Sequence, residues 1–248
     1  MEVICYATAR NEAAQDSIGG IAHCHAVDPM WWVEMNIQMT KDNKLILFHD
    51  AEINLGGRVF RIDSLNLIDL KSFKIGDDEG IPLFETVLDQ FPKSKFIFDI
   101  HSHPDQVVDL IINTIEKSRF EGQFIIASES DSIIQSLREK RPSWNYATPT
   151  KEAKRLAFSS LIGIERMFKM KSNYLIIPYF FNDRKIVSQR LLKLIKRRGK
   201  KIFLWMSETD KTKTVSTLKD FQLLKSLGVD GILTDSPEKL KNEISTHE

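Results

Sequence analysis

The chain has 248 residues, 35 basic against 34 acidic, and reads as a single domain spanning 1–248 that is long enough to bury a large core. A balance this even gives no global field toward nucleic acid, and no stretch approaches the roughly 18 apolar residues of a membrane-crossing helix. Two cysteines, Cys5 and Cys24, make no disulfide framework, and no basic segment with an apolar run opens the chain, so it reads as cytoplasmic without stable membrane insertion.

Glu2 to Tyr6 reads as a short buried strand in which Cys5 is a small hydrophobe. A helix is expected over 12–27, weakened by Gly19-Gly20 and stopped by Asp28-Pro29. Met30 to Asn36 is a second strand, ending in Glu34 and Asn36 on one face. Thr40-Lys-Asp-Asn43 reverses the chain, and Leu45 to Phe48 returns carrying His49 and Asp50. A parallel return needs a crossover of about a dozen residues, so this connection is an antiparallel hairpin. It brings a histidine back toward a carboxylate and an amide. Residues 51–80 read as loop around Gly56-Gly57, with a short apolar-periodic piece from Ser64 to Phe73, and Leu83 to Phe91 reads as helix.

Beyond residue 92 the rhythm is regular. Strands fit at 95–100, 123–127, 144–148, 173–178, 201–206 and 230–234, with amphipathic helices at 105–119, 131–140, 151–168, 184–198 and 214–227. With 3–6 and 31–36 the strands number eight. The expected fold class is therefore α/β, a TIM (β/α)8 barrel with a β-hairpin excursion after strand 2 and a short insertion at about 51–80. Such barrels do chemistry at the C-terminal ends of their strands, where Glu34, Asn36, Asp99, His101 and Asp235 fall. His23 and His25 fall toward the barrel bottom and read as structural or surface residues.

The run from Glu34 to Asp50, EMNIQMTKDNKLILFHD, resembles the signature of the glycerophosphodiester phosphodiesterases, roughly E-L-D-V-x-x-T-K-D-G-x-x-V-x-x-H-D. Ile81-Pro-Leu-Phe-Glu85, Phe98-Asp-Ile100, Trp205 and Gly228-Val-Asp-Gly-Ile-Leu-Thr-Asp-Ser-Pro237 resemble later family segments, in the family's order. The resemblance implies hydrolysis of a small-molecule glycerophosphodiester, or a related diester of lipid or cell-surface polymer origin. It also implies a divalent cation (Mg²⁺ or Ca²⁺) on carboxylates, two histidines for proton transfer, and a basic residue on the phosphate.

Carried over position by position, His49 matches the second catalytic histidine and Glu34 the first metal carboxylate. Asp99 stands at the third carboxylate, one methylene shorter than the usual Glu. Asn36 stands at the second, where its carbonyl can coordinate but brings no charge, so cation affinity is expected to be weakened. His101 stands at the lysine of E-x-K. The first strand departs most. Tyr6-Ala7-Thr8 replaces H-R-G, removing one histidine and the phosphate-binding arginine, and something like Asp16-Ser-Ile18 replaces E-N-T. Losing one positioned acid or base costs about 10²–10⁴-fold in rate.

Asp99, His101 and His103 share one side if the strand stays extended. The two histidines can then replace the lost acid or base, or favour a softer cation such as Mn²⁺ or Zn²⁺; the plain alternative is loop histidines bonded to neighbours. Tyr6 can bond a phosphate oxygen or fill the vacated pocket, and Trp205 can wall the pocket or belong to the core. Asp235 is read as organising the closing turn. The favoured function is a divergent, metal-assisted phosphodiester hydrolase. The alternatives are a pseudoenzyme that keeps the pocket as a ligand- or partner-binding module, and an enzyme of different chemistry at the same mouth.

Overall fold

A computed structural model gives the architecture and describes residues 1–76, 79–102, 105–208 and 214–246, the Glu208 side chain apart. Eight parallel strand positions close on themselves: β1 (Glu2–Cys5), β2 (Trp32–Met39), β3 (Lys95–Ile100), β4 (Gln123–Ala127), β5 (146–147), β6 (Tyr174–Phe181), β7 (Lys201–Glu208) and β8 (Gly231–Thr234). β5 is held by one bridge on each side, Ile126 to Tyr146 and Ala147 to Tyr174. β8 closes the barrel by pairing with β1 from Glu2↔Gly231 to Cys5↔Thr234. The TIM-barrel expectation holds.

Every strand sends one side chain to the axis. The odd strands give Ile4, Ile97, Ala147 and Phe203, the even strands Trp32, Ile125, Tyr174 and Leu233, and together they form one buried cluster. Gly231 carries no side chain here because a Cβ would stand 2.6 Å from the Phe203 ring. Side chains alternate faces along a strand, so the next inward position lies two residues on. Those positions are Tyr6, Glu34, Asp99, Ala127, Ile176 and Trp205, and all six line the cavity at the mouth.

Eight α-helices cover the outside among the described residues: α1 (Ile18–Val27), α2 (Phe84–Gln90), α3 (Gln106–Lys117), α4 (Asp131–Lys140), α5 (Thr150–Ile162), α6 (Gln189–Arg197), α7 (Leu218–Leu227) and α8 (Pro237–Ser245). In α3 the buried Val107, Ile111 and Ile115 recur every four residues, the spacing of a single helix face. Cys5 and Cys24 are free and buried in the outer core. No described helix is long and apolar enough to cross a membrane.

Several boundaries differ from expectation, each for a local reason. α1 begins at Ile18, six residues later than the periodicity suggests, because Ala7, Thr8, Ala9 and Asp16 take positive φ and Ser17 then caps the helix through the Gly20 N–H. α5 stops at Ile162, where Gly163 takes the left-handed conformation at φ +81°. α6 waits until Gln189, since Asn182 and Asp183 turn the chain back into a short antiparallel pair, Phe181↔Arg184.

The expectation of plain loop at 51–80 is corrected. Glu52–Leu55 and Arg58–Arg61 pair across Gly56-Gly57, both at positive φ, as tight hairpin turns require. Lys74–Ile75 and Glu79–Gly80 make a second small pair. Ile53, Ile62, Leu65 and Leu70 pack with Ile46 of the return strand Leu45–Leu47 into a satellite core. The Glu79 carboxylate fastens the second pair to the start of α1 by accepting the N–H groups of Ile18 (3.0 Å) and Gly19 (2.9 Å).

Gly20 marks the tightest approach of α1 to the loop before it. A Cβ there would stand 2.7 Å from the carbonyl oxygens of both Thr8 and Ala14. Gly20→Ala is expected to lower the unfolding free energy by about 1–3 kcal/mol in urea denaturation. Gly80→Ala, whose Cβ would meet nothing within 4 Å, is expected to change it by less than about 0.5 kcal/mol.

Candidate active site

The site begins with a turn that side chains rarely adopt. After Cys5 the chain passes through Ala7, Thr8 and Ala9 at φ +49°, +51° and +65°. This left-handed run aims the Ala7 N–H back at β2, where it donates to Glu34 Oε2 at 2.6 Å. Tyr6 turns its ring into the mouth and lines the cavity without filling it. The Arg10 guanidinium lies 4.9 Å over that ring and bonds Asp235 at 3.4 Å, outside the cavity. Burial, and then the neighbouring Glu34 charge, push the Tyr6 phenol well above its usual range. Asp235 also accepts from Thr214 and Ser236, so it ties the closing turn together.

Glu34 is 4% exposed, and its other oxygen, Oε1, has no hydrogen-bond partner. Burial first, then the charges of Asp99 and Asp16, push its carboxyl up to about 8 against the pull of the Ala7 N–H and His101. Asn36, two residues on and 2% exposed, stands beside Asp99 in the β2–β3 register. Its backbone N–H and side-chain amide both donate to the Asp16 carboxylate, at 2.9 to 3.2 Å. The amide nitrogen is thus committed, and only the carbonyl oxygen of Asn36 is left for a cation. Asp16 is itself raised by burial, while Asn36, Gln15 and the His49 charge hold it back.

The hairpin delivers His49 to the same mouth. Its ring centre is 4.9 Å from that of His101, and its Nδ1 bonds Asp50 at 2.7 Å. His101 Nε2 stands 3.7 Å from Asp99 Oδ2, an ion pair longer than a hydrogen bond. Burial lowers the His101 imidazole, but Asp99, followed by Glu34 and Asp16, outweighs it and lifts the group to about 9. Trp205 does both things the sequence allowed, packing on the axial cluster and walling the cavity. His103 lies outside the described residues. His23 bonds Glu12 and His25 packs on Phe91 and Phe96, both away from the mouth, while Glu85 is exposed on α2.

The cavity at this end of the barrel holds about 520 Å³. Eight buried side-chain polar atoms lack a hydrogen-bond partner among the described residues. Four of them belong to residues lining this one cavity: Glu34 Oε1, His101 Nε2, Thr148 Oγ1 and Trp205 Nε1. Buried polar groups are normally paired, so this concentration marks a place meant for something polar.

Sequence reasoning did not find Thr148 or Lys154, the one Lys or Arg lining the cavity among the described residues. Both lie on the β5–α5 stretch, which carries no motif. The tightest described cluster of His and acidic ligand atoms is elsewhere, at Glu12, His23 and Glu238. Helix capping accounts for it, since Glu12 accepts the Glu238 and Lys239 N–H groups that open α8.

The profile of the glycerophosphoryl diester phosphodiesterase family matches residues 26–239. YhdW of Bacillus subtilis strain 168, provisionally named a glycerophosphodiester phosphodiesterase, is 28% identical over 218 residues, covering 83% of each chain. A glycerophosphodiester phosphodiesterase of Caldanaerobacter subterraneus subsp. tengcongensis is 25% identical over 224 residues, 85% of this chain and 84% of that one. An Oleispira antarctica phosphodiesterase, solved in complex with its product sn-glycerol-3-phosphate, has the same fold. It matches with a TM-score of 0.76 at 15% identity over 99% of this chain and 97% of that one.

The residues at the mouth fit a hard divalent cation. Glu34 offers an unpartnered oxygen, Asp99 a second carboxylate and Asn36 a carbonyl, and the mutual repulsion of the buried acids is relieved by positive charge. Glu34 titrates near 4.5 when unfolded and near 8 when folded, so folding takes up a proton between those values. Stability of the cation-free protein is therefore expected to fall as pH rises through that interval, by on the order of a few kcal/mol. Urea denaturation across the interval checks this, with Glu34→Gln flattening most of the slope.

Proposed function

The chain belongs to the glycerophosphoryl diester phosphodiesterase family, and from that premise we propose that it is a divergent, metal-assisted phosphodiester hydrolase. The observation that carries the reading is the convergence in one cavity of two carboxylates, two histidines and four unpartnered polar atoms. Its substrate is a small glycerophosphodiester or a related diester.

Glu34, Asp99 and the Asn36 carbonyl would hold the cation, which supplies charge neutralisation of the diester. His49 has its Nδ1 on Asp50, which leaves Nε2 as the nitrogen that takes a proton from the attacking group. His101, 4.9 Å away and beside Asp99, gives a proton to the departing alkoxide oxygen, a task for which the Tyr6 position is unsuited. Lys154 replaces the arginine charge absent at Ala7. The Trp205 indole N–H and the Thr148 hydroxyl are free to bond phosphate or alcohol oxygens. A mouth filled by Tyr6 would favour a pure binding module, but here the ring borders an open cavity.

Release of glycerol 3-phosphate from a panel of glycerophosphodiesters, with Mg²⁺, Ca²⁺, Mn²⁺ and Zn²⁺ each supplied, tests the reading. Turnover is expected to need a cation and to fall about 10²–10⁴-fold in His49→Ala. Turnover indistinguishable from that of His49→Ala and Glu34→Ala with every cation would overturn it. Lys154→Ala is expected to raise KM more than it lowers kcat, and Lys154→Arg to restore much of the loss.

A further inference from the structure

We propose that the outer half of the cavity seats a long aliphatic chain, so that the diester taken by this site is the head of a single-chain amphiphile. The inference rests on the hydrolase reading for where the phosphate lies, and on the far wall for everything else.

The cavity has two unlike ends. The inner end holds Glu34, Asp99 and the two histidines. The outer end runs between α5 and the last residues of β6, where Ala157, Phe158 and Leu161 face Phe181 and Ile186. Lys154 stands at the junction, makes no ion pair, and is followed on its side of α5 by no other charged lining residue.

Positions 154, 157, 158 and 161 follow the i, i+3, i+4, i+7 spacing of one helix face. Helices usually turn such a face toward the core. Here the core takes a different set, Leu156 and Ala157 with Ser159 and Ser160, while Phe158 and Leu161 remain 58% and 46% exposed. The apolar rim continues past the helix end through Ile162, Ile164 and Met167, the last 78% exposed. One exposed leucine means little, but a contiguous apolar rim leading out of a polar catalytic mouth marks a binding surface.

The order along this path is cation and acid, then lysine, then hydrocarbon. A phosphodiester joined to a single aliphatic chain has the same order. Lys154 and Leu161 are about 10 Å apart along the helix axis, so a chain must be extended well beyond glycerol to meet the whole wall.

Calorimetric titration of the His49→Ala protein, which does not consume ligand, tests the idea. The ligands are glycerophosphocholine and the hexanoyl, octanoyl and decanoyl lysophosphatidylcholines, all kept below their micellar concentrations. Affinity is expected to rise about two- to fourfold per added methylene until the wall is covered. In His49→Ala proteins that also carry Phe158→Asp or Leu161→Asp, both at exposed positions, the rise is expected to flatten while glycerophosphocholine binds as before. Ala157→Trp, which fills the groove, is expected to exclude the longer chains.

Absence of lysolipid binding, affinity independent of chain length, or a rise that survives both aspartate variants would overturn the proposal. Turnover of glycerophosphocholine by the unaltered protein is followed separately. Turnover without chain dependence would keep the hydrolase reading and remove this one; chain-dependent binding without turnover would do the reverse.

Discussion

The structure depends on the alternation of side chains around a closed ring of strands. Eight strands each send one apolar residue to the axis, and that filled layer fixes the register of everything above it. Because the period is two, Glu34 must stand over Trp32, Asp99 over Ile97 and Trp205 over Phe203. A one-residue slip of β2 would bury Glu34 in the outer core and place Met35 at the mouth. The site is thus not a set of loops brought together but the next storey of a packed interior. That accounts for how two carboxylates can be held so close in so dry a place.

Holding them there requires compensation, and the chain finds it without the cationic side chain the family carries on the first strand. The left-handed run at Ala7 to Ala9 turns a backbone N–H onto Glu34, a fixed partial charge in place of a full one. Asn36 has exchanged roles with its surroundings in a similar way. It gives up the charge of a carboxylate, and its amide instead holds the carboxylate of Asp16 beside it. Negative charge has been moved back from the mouth by one residue, not lost from it.

Much of this was legible from residues alone, and the misses have physical causes. The strands were readable because β-branched and aromatic runs recur between amphipathic helices, and 95–100 and 123–127 fall where the pattern puts them. The hairpin was readable because Thr40 to Asn43 is too short for a crossover. Helix starts were late by several residues wherever Ser17, Ser188 or Thr217 caps the chain, a signal that hydrophobic periodicity alone ignores. Gly56-Gly57 between alternating residues was a hairpin signal passed over as loop. Glu34, Asn36, Asp99, His49 and His101 do meet in one cavity, as their places at the strand ends suggested. The clamp on Asp16, the Ala7 N–H and the α5 wall could not be seen, because each depends on backbone direction and not on residue type.

The pairing of β1 with β8 gives the barrel a seam between its first and last strands. Residues 2–5 find their partners only at 231–234, a separation that spans nearly the whole chain. Contacts this distant form late, since the intervening chain must first be ordered. On a ribosome adding about 5–20 residues per second, β1 waits on the order of ten seconds or more for the strand that closes it. Through that interval the Leu233 and Phe203 layers are missing from the axis, and the edge of β1 stays open beneath the turn that holds Glu34. The nascent mouth is therefore an exposed strand edge, and the final strand both completes the site and removes the hazard.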